Sequence, residues 1–376
     1  MKVSFFILYN FMFKNKLVYL QHNFVENKKL RMKKLLALVL LSIIFSALQA
    51  KKTYIPKEKD MKAYLMVFHK DATHGLYMAI SRDGYTFTAL NNGNPVISGD
   101  TIAQQKGIRD PHIFRGPDGA FYLSMTDLNI YAKKAGYRTT DWERDGKAFG
   151  WGNNRALVLM KSFDHIHWSR ANIRFDELDP SLADIGCVWA PETAYDDKTG
   201  QLMLYYTMRH GNGLDMLCYS YVNNDYNKIE TLPKVLFTYP KSSISAIDGD
   251  ITNIYGKYHL FYCSHVGTAG IKQAVSDSIN TGYKYDDSYY DMEKGGCEAP
   301  NVWKRIGENK WILMYDINSI KPNNFGFLET SDFVHFKNLG RFDEGIMKRT
   351  NFTEQKHGAV VWITSKEAKR LEKYWK

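Results

Sequence analysis

The chain is short of the residues that hold small or fibrous proteins together. Its 376 residues include only 4 Cys and 10 Pro, which excludes a disulfide-stapled scaffold and a collagen-like or proline-rich chain. Cys187, Cys218, Cys263 and Cys297 show no C-x-x-C spacing, so no zinc site is implied and buried free thiols are expected. There is no Gly-rich phosphate cradle, nucleophile elbow or Ser-His-Asp arrangement. Apolar runs of membrane-spanning length are also missing, because the run at 35–48 falls short of the about 20 residues a span needs. A true charge surplus is missing from the body of the chain. The formal net charge is +10, but residues 1–50 hold eight basic residues and one acidic residue, Glu26, which leaves 42 basic against 39 acidic elsewhere. No nucleic-acid partner is implied.

That basic leader reads as a targeting segment. Lys33-Lys34 after Met32, then the apolar run, then Ala50, follow the n-region, h-region and cleavage-site order of a signal peptide. Met32 is the expected true start, and no Cys follows the run to carry a lipid anchor. The expectation is export to the periplasm or cell exterior, with no stable membrane insertion after cleavage, and residues 51–376 as a single domain.

Aromatics are abundant, with 25 Tyr and 21 Phe, and short β-type runs lie between Gly, Asp and Asn. The chain reads as all-β. Two internal repeats organise it. One is a Ser, an Asp and an aromatic four residues after the Asp: Ser81-Arg82-Asp83 with Phe87, Ser162-Phe163-Asp164 with Trp168, Ser331-Asp332 with Phe336, and a degenerate copy at Ser276-Asp277. The other is an acid opening a short strand that leads through a turn to an aromatic strand. Its copies are Arg109-Asp110-Pro111, Trp189-Ala190-Pro191-Glu192, Ala246-Ile247-Asp248 and Cys297-Glu298-Ala299-Pro300.

Interleaved, the repeats give four-strand units starting near residues 108, 187, 246 and 297. Three strands at the beginning (64–68, 76–81 and 85–90) and one at the end (358–363) remain to form a fifth. This predicts a five-bladed β-propeller whose last blade is closed by N- and C-terminal strands, which removes exposed sheet edges. Thr364 and Glu367 predict a capped C-terminal helix over 368–375. Innermost strands line a propeller's axis, so Asp110, Glu192, Asp248, Glu298 and His357 are expected to converge on one cavity, an acid/base or cation site.

These strings, together with Lys356-His357-Gly358, resemble glycoside hydrolase family 43 in order and across residues 109–358. The resemblance implies hydrolysis with inversion, acting on terminal α-L-arabinofuranosyl or β-D-xylosyl residues of plant-type polysaccharides or oligosaccharides. It implies Asp110 as general base, Glu298 as general acid, and Asp248 as the group that orients Glu298 and raises its pKa. Inversion needs two carboxyls about 6.5–9.5 Å apart. Gly249-Asp250 departs from the family pattern and places a second acid near Asp248. Substrate contacts are expected at Trp189, Glu192, Arg109, Asp127 and Trp151. No cofactor is required; relatives hold a calcium or a water cluster near the axis, and a calcium there would sit by His357 through water, since calcium prefers oxygen ligands, the alternative being a buried His357 satisfied by backbone groups. The rivals are a fructosidase-type retaining propeller, which would need an Asn-Asp-Pro nucleophile between residues 51 and 108, and a non-catalytic carbohydrate-binding propeller.

Overall fold

The computed structural model describes residues 55–137 and 144–376, and Met32 alone of the leader. The signal-peptide reading at 1–50 therefore lies outside the described residues. Among the described residues no helix is long and apolar enough to cross a membrane.

Strands β1 (Met61–His69), β2 (Leu76–Ser81) and β3 (Thr86–Ala89) open the chain. Four blades follow, each a meander of four antiparallel strands: β4–β7 begins at Ile108, β8–β11 at Ile185, β12–β15 at Ala246 and β16–β19 at Cys297. The ring closes when β21 (Lys356–Thr364) pairs with β1, and the closing sheet runs β20-β3-β2-β1-β21. The short β20 (Lys348–Thr350), parallel to β3, is a strand the repeat pattern does not contain. The expected five-bladed propeller is the fold.

The second strands show why both faces are apolar. In β5 (Phe121–Asp127) and β17 (Trp311–Ile317) every residue is buried, because each blade is sandwiched between two others and has no solvent face. Five apolar clusters fill the five seams between adjacent blades. The four Cys are buried free thiols.

The Ser-Asp-aromatic repeat is a turn that closes its own backbone. Asp83 Oδ1 accepts the amides of Tyr85 and Thr86, Asp164 Oδ1 those of Ile166 and His167, and Asp332 Oδ1 those of Val334 and His335. Each joins the third strand of a blade, counted from the axis, to its fourth, as an Asx turn does. In the third copy the hydroxyl comes from Thr330 rather than Ser331. Helix α1 (Ser365–Tyr374) starts with the expected capping box of Thr364 and Glu367, and Glu367 also pairs with Arg115 at 2.7 Å.

Candidate active site

Each innermost strand is interrupted near its start by a bulge. The displaced residues, Asp110, Ala190, Asp248, Ala299 and His357, have left-handed backbones with φ of 50°, 43°, 54°, 53° and 32°. A bulged residue leaves the ladder and its buried N–H must find another acceptor. Here that acceptor lies in the neighbouring blade. Asp110 N–H donates to His69 Nδ1 (3.2 Å), Ala190 N–H to Thr126 Oγ1 (2.9 Å), Asp248 N–H to Thr207 Oγ1 (3.0 Å) and His357 N–H to Asp316 Oδ2 (3.3 Å).

These four acceptors share one register, each paired with the residue just before its own blade's bulge. The fifth place in that register is Cys263, paired with Ile247. Its thiol donates to the Cys297 carbonyl oxygen, so the Ala299 N–H turns to Asp248 Oδ2 at 3.3 Å. The one break in the fivefold pattern thus ties the Asp248 carboxylate to the strand that carries Glu298.

A second tier lies two residues further along, formed by His112, Glu192, Asp250 and Asn301. It too joins blade to blade. Thr193 N–H donates to His112 Nδ1, Val302 N–H to Asp250 Oδ2 and Val360 N–H to Asn301 Oδ1. Glu192 acts through Tyr205, whose hydroxyl donates to Glu192 Oε2 at 2.6 Å and accepts the Ile251 N–H at 3.0 Å. Burial, with Asp250 close by, pushes the Glu192 carboxyl well above its ordinary range. Glu192 thus stands one tier further along than Asp110 and Asp248 and joins blade to blade there, while it still lines the axial recess with them. The motif strings share Ala-Pro, and it is Ala190 and Ala299 that fill the bulge. Glu298 accordingly precedes its bulge, level with Arg109, Trp189, Ile247 and Lys356.

The expectation for Asp127 is corrected. It is completely buried, and its two carboxylate oxygens accept the amides of Gln104 and Gln105 at 2.8 and 2.7 Å. It secures the loop before β4 (Ile108–Arg115) instead of reaching a pocket rim.

The remaining acids meet around His357. Nδ1 lies 3.1 Å from Asp110 Oδ1, while Nε2 lies 3.3 Å from Glu298 Oε1 and 3.7 Å from Asp248 Oδ2. One imidazole therefore spans Asp110 and Glu298. Burial disfavours its charge, but Asp110, Asp248 and Glu298 outweigh burial and raise its pKa to about 10. Burial also opposes the charge on Asp110, yet His357, Arg109 and His69 keep that carboxyl below its ordinary range, helped by the Thr126 hydroxyl at 2.7 Å. Arg109 is itself buried and paired with Asp71 at 2.5 Å.

Asp248 behaves oppositely. Burial dominates, the neighbouring acids add to it, and the carboxyl rises to about 7. Glu298 is driven well down despite burial, first by Lys356, whose Nζ is 3.0 Å away, then by His357 and the Asn318 amide at 2.9 Å. The expectation that Asp248 lifts the Glu298 pKa is met by a stronger opposing charge. Of the two acids, Asp248 is therefore the one whose pKa is raised and Glu298 the one held low.

Asp248, Glu298 and His357 bring three potential metal-ligand atoms within 4.8 Å of one another, but they do not fit calcium. Both His357 ring nitrogens are directed at carboxylates, Nδ1 at Asp110 and Nε2 at Glu298, an arrangement suited to a doubly protonated ring rather than to a metal ligand, and Lys356 already pairs with Glu298. The axial recess bounded by Asp110, His112, Asp248 and His357 measures about 20 Å³, room for about one water rather than a cation that takes six to eight oxygens. Neither millimolar calcium nor EDTA is expected to move the melting temperature by more than about 1 °C, since only a ligand that binds the folded state stabilises it. Differential scanning fluorimetry checks this.

Trp189 stands at the Glu298 level, with its indole N–H on the Gly152 carbonyl (3.0 Å) and Arg209 over its ring at 4.5 Å. Trp151, 69% exposed, meets it edge-on with ring centroids 6.2 Å apart. The residues that motif reading missed are Asp71 in the first hairpin, Asp316 on β17 and Asn318 just after it, where no repeat marks them. Lys356 stood in a quoted motif with no role given to it.

No curated protein matches the chain. Among solved structures, a thermostable family-43 glycoside hydrolase superposes with a TM-score of 0.52 at 12% identity, covering 74% of this chain and 90% of that one. A bifunctional GH43-CE protein from Bacteroides eggerthii gives a TM-score of 0.51 at 13% identity over 75% of this chain, which spans only 34% of that longer protein. At such identities the likeness concerns the fold. Residues 59–369, nearly the whole described propeller, match the profile of the family 43-related glycosyl hydrolases, described as a probable glycosyl hydrolase domain. The chain belongs to that family, and its propeller is of the glycoside hydrolase type.

Proposed function

We propose that this protein is an exported, inverting glycosidase that removes terminal α-L-arabinofuranosyl or β-D-xylosyl residues from plant-type polysaccharides or oligosaccharides. The observation that carries the reading is the placement of Asp110 and Glu298 at opposite ends of one imidazole ring. A ring's width and two hydrogen bonds give a spacing on the order of the 6.5–9.5 Å that inversion uses.

In this reading Asp110, kept ionised, takes a proton from the attacking water, and Glu298 delivers one to the leaving oxygen. Asp248 positions Glu298 through the Ala299 amide and shares the proton of the pair. Trp189 and Trp151 form a wall on which a sugar face can pack. The carboxylate cluster needs no metal for any of these steps.

The test is hydrolysis of aryl α-L-arabinofuranoside, β-D-xyloside and β-D-galactoside by the purified full chain, with the first-formed anomer read by proton NMR. Release of the inverted anomer from an arabinofuranoside or xyloside is expected. A retained anomer favours the fructosidase-type alternative, release from the galactoside alone overturns the proposed sugar, and binding of oligosaccharide without turnover favours the carbohydrate-binding alternative. Because Asp248 and Glu298 together must hold one proton, and that proton is lost as pH rises through about 7, kcat/KM is expected to fall about tenfold per pH unit above that point. The acid limb should lie below the ordinary carboxylate range, where Asp110 gains its proton.

A further inference from the structure

The proposed mechanism leaves one difficulty, which is how Glu298 comes to hold a proton. Among the described residues, each atom within hydrogen-bond reach of its carboxylate oxygens is a donor nitrogen. Lys356 Nζ and His357 Nε2 face Oε1 at 3.0 and 3.3 Å, and Asn318 Nδ2 faces Oε2 at 2.9 Å. A protonated carboxyl would have no acceptor for its hydrogen in this arrangement.

Lys356 has a second seat close by. Its Nζ is 3.7 Å from Asp316 Oδ2. Asp316 pairs with Glu298 across the ladder between β16 (Cys297–Lys304) and β17, is completely buried, and has an Oδ1 atom with no hydrogen-bond partner among the described residues. A buried carboxyl oxygen without a partner is costly, and an ammonium with three donors can serve both acids or move between them.

We propose that Lys356 is a positioning residue that moves from Glu298 to Asp316 when substrate enters, and that this movement is what allows Glu298 to carry the proton it donates. Charge balances: the ammonium passes from the Glu298 carboxylate to the Asp316 carboxylate, the proton that Asp248 holds passes to Glu298 as the ammonium leaves, and the net charge of the four groups is unchanged. The directions agree, since burial raises Asp316 to about 6 while Lys356 holds Glu298 down. The other charged groups around the pair are His357, Asp248, Arg109 and Asp71; His357 Nε2 also faces a second acid, Asp248 Oδ2 at 3.7 Å, but its ring is tied at Nδ1 to Asp110 at 3.1 Å, whereas the Lys356 ammonium ends a flexible stem. This inference deepens the proposed function and rests on it for the role of Glu298.

The test is separable from activity. Carbon-13 carboxyl NMR on glutamate-labelled full chain, with the Glu298 signal assigned by its absence in Glu298→Gln, gives the titration midpoint directly. Lys356→Met is expected to raise that midpoint by about one pH unit or more, and Lys356→Arg, which keeps the charge, to leave it near the wild-type value. Asp316→Asn, which removes the second seat, should leave the midpoint low and cut kcat about tenfold with KM within about twofold. In Lys356→Met the alkaline limb of kcat/KM should move up with the midpoint.

An unchanged midpoint in Lys356→Met overturns the proposal, as does a rise in Asp316→Asn equal to that in Lys356→Met. If Lys356→Met does not fold, Lys356→Gln takes its place. If the full chain hydrolyses no glycoside, the proposed function fails while the NMR titration still decides whether Lys356 controls Glu298.

Discussion

Asp110→Asn and Glu298→Gln are each expected to lower kcat by between about a hundredfold and ten-thousandfold, the range that positioned general bases and acids supply. The two losses should differ in kind. Without its base the enzyme cannot activate water for any substrate, so the Asp110→Asn defect should not depend on the leaving group. Without its acid the defect should be severe for a sugar alcohol and mild for a nitrophenolate, which departs without protonation. KM should change little in either variant, because both groups act on the reacting atoms. Steady-state kinetics on a series of aryl glycosides beside one natural oligosaccharide would check this. A Glu298→Gln defect that is independent of leaving group would remove Glu298 from the acid role.

The second large effect concerns stability. His357→Asn leaves Asp110, Asp248 and Glu298 facing one another with their shared cation removed. Breaking a buried ion pair in this way costs on the order of 3–5 kcal/mol, which in a domain of this size lowers the melting temperature by roughly 5–15 °C. The pH dependence has a definite sign. The folded-state pKa of His357, about 10, lies above its unfolded value of 6.5. The stabilisation it provides is therefore complete below about pH 6.5 and is lost as pH rises through about 10. Asp248 and Asp316, raised to about 7 and 6, favour the folded state less as they ionise, which also weakens it with rising pH. By the sign for His357 the deficit of His357→Asn should be full at pH 5 and shrink as pH rises toward 10. Chemical denaturation of both proteins at about pH 5 and about pH 9 measures it, and a deficit larger at the higher pH would contradict the ion-cluster account.

The propeller was legible because its repeats are chemical as well as geometric. The Ser-Asp turn closes hairpins with its own carboxylate, so Asp83 and Asp164 marked the third and fourth strands of their blades without any long-range information. The left-over strands at the two ends counted out to a closing blade for the same reason. Asp110, Asp248, Glu298 and His357 were legible as neighbours because propeller geometry brings the starts of all inner strands to one axis. The levels within the axis were not. Counting from the acids aligned Glu192 with Asp110, whereas the bulge aligns Ala190 with Asp110, and a bulge leaves no residue signature when the displaced residue is an alanine. Asp127 was misread because a buried carboxylate that caps two amides and one that meets a sugar have the same sequence neighbourhood. Asp71, Asn318 and Asp316 act from strands and loops paired only in three dimensions, and the role of Lys356 became visible only once its distances to two buried acids were known.

Closure of the ring by β21 sets the order in which the site comes into being. The strand that carries Lys356 and His357 is the last in the chain, so a ribosome delivers the three acids long before the cations that let them coexist. Until residue 357 has emerged and docked beside β1, the inner strands hold carboxylates that repel one another, and the gap in the ring has no covering strand. A chain lacking residues 356–364 is thus both open-edged and electrostatically frustrated, and the balanced charge cluster exists only once β21 has docked beside β1.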